Sequence, residues 1–320
     1  MRTDLKHMRY FIVMGEEQHF ARAAERLHMD QSALSKAMKD LEDDLRVSLF
    51  ERSTRSTRLT YAGKVFMDEC RRVMNVVQQA RTTAQAAAQG FRGHLRIAIS
   101  DALAQPRMTE LFTLCRSEDP EVEIRLFEMP VGQLVRALQQ DEVDAGFTLL
   151  HEPGEGYTAE PLWHDEVAVA MPARHPLFGR KRVKLTDAVQ YPLILAHPEL
   201  CQGGYAYVDA MLEKLPPDSG QPMIAEHVSG HESMLMMIGA GYGVGFAIES
   251  QIAHFQRDDV VVRPMESGLP PVTTYVLRGV NEPSEPLAKF MERARRIGGL
   301  QESERSFGPA PDAPPDAAQD

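Results

Sequence analysis

Long uncharged apolar runs, paired cysteines and enzyme motifs are what this 320-residue chain has least of. Its longest uncharged apolar run, residues 233–248, is broken by Gly239, Gly241, Gly243 and Gly245. It falls short of the ~18 residues that suggest a membrane-crossing helix, so no membrane partner is expected. The opening stretch "MRTDLKHMRYFIVMGEE" interrupts a short apolar run at Arg9 and sets Glu16 and Glu17 where a leader would need small residues. No export signal and a cytoplasmic location are therefore expected. Only three cysteines occur, Cys70, Cys115 and Cys201. They form no CxxC pair and cannot all pair within one chain, which fits a reducing compartment.

The missing motifs narrow the chemistry. HExxH and GxSxG do not occur, and the glycines of "GAGYGVG" are not spaced GxGxxG. Glu226, His227 and His231 lie close in sequence, but a strand-to-helix break expected at Ser229 and Gly230 separates the two histidines. No enzyme, catalytic residue, metal site or cofactor is expected.

Positive charge is also short overall, with 35 Lys plus Arg against 46 Asp plus Glu and a formal net charge of -11. The deficit is local. Residues 1–90 hold 15 basic against 12 acidic side chains, net +3, and residues 91–320 hold 20 against 34, net -14. Bulk charge disfavours nucleic acid as a partner of the whole chain. A small basic surface at the front suffices, because salt confines the relevant field to ~8–10 Å.

The front of the chain has the periodicity of helices. Leu5, Met8, Phe11 and Ile12 suit a first helix, and Phe20, Ala23, Ala24 and Leu27 a second. Asp30 is placed to cap a third, in which Leu34, Met38, Leu41 and Leu45 form one apolar stripe. Gln31, Ser32, Ser35, Lys36 and Lys39 fall off that stripe, and they are donors and acceptors suited to base edges and phosphates. Two short helices before such a face match a helix-turn-helix. In "ERSTRSTRLT" Arg52, Arg55 and Arg58 alternate with Ser and Thr, as a two-stranded wing along a DNA backbone would.

Next, Phe66, Cys70, Val73, Val77, Ala80, Ala84 and Ala87 alternate spacings of four and three. So narrow a seam predicts a linker helix over 61–90 that pairs with a copy of itself. Beyond it, apolar runs such as "HLRIAIS", "VEIRLFEM" and "YPLILAHP" alternate with helical segments at 107–117, 132–140, 206–215, 232–239 and 284–297. That alternation reads as parallel α/β structure. The end, "GPAPDAPPDAAQD", has four prolines in thirteen residues and no large apolar group, so 301–320 is expected to be a disordered tail.

Five blocks in the first 63 residues carry a family pattern: Phe20, Ala23, Ala24 and Leu27; Gln31, Leu34 and Ser35; Leu41, Glu42 and Leu45; Leu49, Phe50 and Arg52; Leu59, Thr60 and Gly63. The segment resembles the DNA-binding half of LysR-type transcriptional regulators. Two departures stand out, Ser32 where the family often has proline and Arg46 where it has glycine; the arginine is expected to take the glycine's turn, with a slightly longer helix. More loosely, "ARHPL" at 173–177 and "GAGYGVGFA" at 239–247 resemble the family's second part.

The resemblance implies an α+β multidomain chain. A winged helix-turn-helix over 1–60 and the linker helix would lead to an effector domain over 91–300, built of two α/β lobes like a periplasmic binding protein. It further implies a homodimer or homotetramer that binds an inverted-repeat site in double-stranded promoter DNA, acts with RNA polymerase and is switched by a small-molecule effector.

Loops at strand ends would form the cleft: Ser100 and Asp101; Met129, Pro130 and Val131; Cys201; Ser229 and His231. "SGHE" reads as a capping box of Ser229 with Glu232. Asp101 and Glu128 add negative charge where arginines are scarce, which suggests a neutral, aromatic or amine-bearing effector over a small dianion. Two alternatives stay open: a thiol redox sensor working through Cys201, and an architectural DNA-binding protein without effector.

Overall fold

The computed structural model describes residues 3–52, 57–101, 103, 105–150, 154, 156–252 and 257–300. The expectations for Arg55, for the Arg52 side chain and for the tail 301–320 lie outside the described residues.

Three helices open the chain: α1 (Leu5–Glu17), α2 (Phe20–Arg26) and α3 (Gln31–Leu45). Phe11, Met14, Ala23, Ala24, Leu34, Met38 and Leu41 meet in one buried cluster. Asp4 caps α1 by accepting from the His7 N–H, whereas Asp30 holds the N-cap position of α3 without a side-chain cap bond. Arg46 ends α3 at φ 55, its N–H bonded to the Glu42 carbonyl. The arginine thus makes the glycine's left-handed turn, and the helix does not lengthen.

The wing is a hairpin of β1 (Phe50–Arg52) and β2 (Thr57–Leu59), in which Glu51 faces Arg58. Glu42 fastens it to α3, its Oε1 accepting the Leu49 and Phe50 N–H groups at 2.8 and 3.0 Å. Thr60 caps α4 (Tyr61–Ala88), accepting from the Gly63 N–H and donating to the Ser48 carbonyl. Gly63 has no substitute there, because a Cβ would lie 2.2 Å from the Leu49 carbonyl oxygen. The front of α4 is buried in its own chain through Gly63, Met67 and Cys70. Farther along, Val73 and Val76 are 37% and 52% exposed, and Ala80, Ala84 and Ala87 face outward. The expected seam is therefore divided between closing the first core and presenting an apolar stripe.

Two five-stranded sheets follow. The first has the order β4 (Val122–Glu128), β3 (Gly93–Ile99), β5 (Ala145–Thr148), β12 (Val272–Gly279), β6 (Tyr157–Asp165). The second has the order β11 (Val260–Pro264), β7 (Val167–Pro172), β10 (Val244–Ile248), β8 (Leu193–Ala196), β9 (Ile224–Val228). Helices α5 (Pro106–Glu118), α6 (Val131–Gln139) and α11 (Glu285–Leu300) cover the first lobe. Helices α7 (Leu185–Ala188), α8 (Gln202–Leu212), α9 (His231–Gly239) and α10 (Glu249–Ile252) belong to the second.

The sheets are mixed, which corrects the all-parallel expectation. β3 runs parallel to β4 and β5, and β8 to β9 and β10. β12 is antiparallel to β5 and β6, and β7 to β10 and β11. The chain crosses between lobes twice, from β6 into β7 and from β11 back to β12, and each crossing delivers a strand running against its neighbours. At the first crossing Arg107 Nη1 donates to Asp165 Oδ2 at 2.6 Å, with both side chains nearly inaccessible. α11 closes the first lobe: the Trp163 indole N–H donates to the Ala294 carbonyl at 3.1 Å, and buried Arg293 pairs with Glu118 and Asp119.

Candidate nucleic-acid interface and interlobe cleft

On α3 the polar face expected from the spacing is assembled. Gln31, Ser32, Lys36 and Lys39 are exposed and Ser35 is half-buried, opposite the buried Leu34, Met38 and Leu41. Arg58 is exposed on β2, with Glu51 across the ladder as a neighbouring opposite charge. Other front-end arginines are engaged within the domain: Arg26 binds Glu16 and Glu17, and Arg71 binds Glu16. Such a face has hydrogen-bonding groups for base edges and cations for phosphates.

A second junction had no signal in the sequence. Side chains of α4 bond the turn after α6: Arg72 Nε donates to the Gln139 carbonyl at 2.9 Å, Asn75 Nδ2 to the Gln140 carbonyl at 2.9 Å and Gln79 Nε2 to the Asp141 carbonyl at 2.8 Å. Arg96 Nη1 reaches the same Asp141 carbonyl at 2.6 Å from within the lobe.

Between the lobes lies a cleft lined by Asp101, Met129, Pro130, Cys201, Ser229 and His231, six of the eight residues expected there. Ser100 and Val131 are buried beneath it and are not among its lining residues. The cleft continues into a small, mainly apolar chamber between Val167, Val208, Met234 and Phe246. Gln105, Tyr207 and Gln251 also line the site, and the sequence reading missed all three. Gln105 immediately precedes α5 and Gln251 sits in short α10, positions that fold topology alone brings to the cleft.

Asp101 occupies the left-handed conformation, φ 58, in the turn after β3. Its Oδ2 accepts from the Thr148 hydroxyl at 2.9 Å and the Leu149 N–H at 3.0 Å, both in the first lobe. Its Oδ1 accepts from the Gly203 N–H at 2.8 Å, in the first turn of α8 in the second lobe.

The expected capping box at Ser229 is not formed. α9 begins at His231 with Gly230 at its N-cap and no side-chain cap bond, so the reading was displaced by one residue. The Ser229 carbonyl instead accepts from the Cys201 thiol at 3.3 Å. His231 Nδ1 lies 3.2 Å from Gln251 Nε2, within hydrogen-bonding distance. Burial pushes His231 down to about 4, so the ring is neutral at physiological pH. Burial, helped by the Asp101 charge, pushes the Cys201 thiol up to about 11. The redox alternative needs a thiolate, and this site opposes one. Glu226 accepts from the neighbouring His227 N–H, and among the described residues no three His, Cys, Asp or Glu side chains gather as a metal site.

Two family models match the chain. The bacterial regulatory helix-turn-helix protein, lysR family, covers residues 5–64, and the LysR substrate binding domain covers residues 88–297. The chain belongs to the LysR family. It is similar to the HTH-type transcriptional regulator XapR of Escherichia coli, with 29% identity over 293 residues, covering 91% of this chain and 97% of that one. Its fold matches that of CbnR, a LysR family transcriptional regulator, with a TM-score of 0.67 at 23% identity over 92% of this chain and 99% of that chain. Full-length CbnR complexed with its target DNA matches with a TM-score of 0.65 at 22% identity, over 92% and 100% of the two chains. This LysR-family protein is thus a DNA-binding transcriptional regulator with an effector-binding domain, and not an enzyme.

Proposed function

We propose that residues 1–60 form the DNA-reading unit, 61–90 the dimerising linker and 91–300 the effector domain, with 301–320 as a tail. Gln31, Ser32 and Ser35 read base edges in the major groove, Gln31 by a bidentate contact to adenine. Lys36 and Lys39, with the wing residues Arg52, Arg55 and Arg58, hold the phosphate backbone. The observation that carries this reading is the largely exposed polar face of α3, opposite Leu34, Met38 and Leu41, which are buried in the first core. CbnR, whose fold this chain shares, is a regulator complexed with its target DNA.

The outward stripe Val73, Val76, Ala80, Ala84 and Ala87 pairs with the same stripe of a second copy, and the dimer, alone or doubled into a tetramer, matches an inverted repeat beside the promoter. In the cytoplasm a small molecule held in the cleft changes how this assembly bends DNA and engages RNA polymerase. Footprinting on the region upstream of its own gene, with and without metabolite extract, tests the reading. A protected inverted repeat whose footprint alters with extract is the expected result. Protection that ignores every extract would favour an architectural role.

A further inference from the structure

The cleft already contains an anion that belongs to the chain. Asp101 receives three hydrogen bonds from two lobes, the pattern expected of a bound ligand's carboxylate. One donor, the Gly203 N–H, is in the first turn of the eleven-residue helix α8, where unpaired N–H groups and the helix dipole favour negative charge. There is no room for a second carboxylate at that position. A Cβ on Gly203 would lie 2.7 Å from Asp101 Oδ2 and 2.7 Å from the Leu150 nitrogen, so the two lobes already touch backbone to backbone here.

The remaining polar groups ask for a different ligand. Among the described residues no Lys or Arg lines the cleft or its chamber. Gln105, only 2% exposed, lines the cleft with its side-chain carbonyl oxygen unpartnered, while its Nε2 donates to Thr274. A buried acceptor of this kind is costly until a donor reaches it.

Resting on the effector-cleft reading above, we propose that Asp101 is a built-in carboxylate ligand that clasps the lobes and fills the cleft's anion position, so that the effector is an uncharged or cationic hydrogen-bond donor received by Gln105. A carboxylate metabolite cannot take that position while Asp101 is in place.

The test removes the internal anion and returns a free one. Asp101→Gly suits the left-handed backbone and leaves the Thr148 hydroxyl and the Leu149 and Gly203 N–H groups around the vacated space. Thermal unfolding of the full chain is followed in formate against chloride at equal ionic strength. A saturable rise in Tm with formate, present in the variant and absent in the wild type and in Asp101→Asn, is the expected result. A variant that responds to formate no more than the wild type overturns the proposal.

Independently of any variant folding, wild-type protein is titrated with butyrate, butyramide and butylamine. Stabilisation by butyrate equal to or above that by the other two also overturns it. These readouts need no DNA. Formate rescue with an operator footprint that no ligand alters would leave the clasp standing and remove the regulatory reading; the reverse pattern would remove the clasp alone.

Discussion

Arg46 holds a conformation that costs a non-glycine residue about 1 kcal/mol or more. Arg46→Gly is therefore expected to raise the unfolding free energy by about 1 kcal/mol in urea denaturation, less the extra chain entropy of glycine. His231 couples stability to pH. Its proton affinity is near 6.5 unfolded and about 4 folded, so between those values the unfolded chain holds more protons and stability falls as pH drops. The full loss is about 3 kcal/mol, and the wild type should lose that much more than His231→Gln between pH 7 and 4. Equal losses in the two proteins would rule the coupling out. Residue types on α3 were readable because helical spacing alone sorts Gln31, Lys36 and Lys39 from Leu34 and Met38. Asp101 was readable as a cleft residue, but its partners Thr148 and Gly203 are far off in sequence and only the fold brings them to it.

At the scale of elements, the two kinds of contact assigned to α3 separate by measurement. Lys36→Ala should weaken binding to all DNA alike and lower the slope of log affinity against log salt by about 1, whereas Gln31→Ala should cost about 1–3 kcal/mol and relax preference at one base pair. On α4, Ala84→Glu places a charge on the outward stripe, and sedimentation should show the dimer shifting to monomer while the helix content is kept. The longer helices and most inner strands were legible from periodicity. The strands missed were β6, β9, β11 and β12, and the first three are sheet edges. β6 even contains Pro161, which an edge strand tolerates because one side of its backbone has no ladder to complete. Helix α8 starts four residues before the segment its sequence predicts, because Gly203 and Gly204 in its first turn have low helix propensity.

For the whole molecule, the two-lobed plan followed from the family resemblance, since alternating strands and helices do not reveal that the chain crosses between sheets twice. The buried pair of Arg107 and Asp165 sits at one crossing. Arg107→Leu leaves that carboxylate without its cation and is expected to destabilise the protein by about 3–5 kcal/mol, seen as a lower Tm. The fastening of Arg72, Asn75 and Gln79 to the turn at 139–141 has a mechanical effect. From Asn75 back to Tyr61 the helix is a stiff arm of about 21 Å, at 1.5 Å per residue. A lobe rotation of roughly 10° carried along that arm swings its front end by about 4 Å. The step between neighbouring bases is ~3.4 Å, so a modest tilt at the sensor is enough to move the reading head by one letter of the operator.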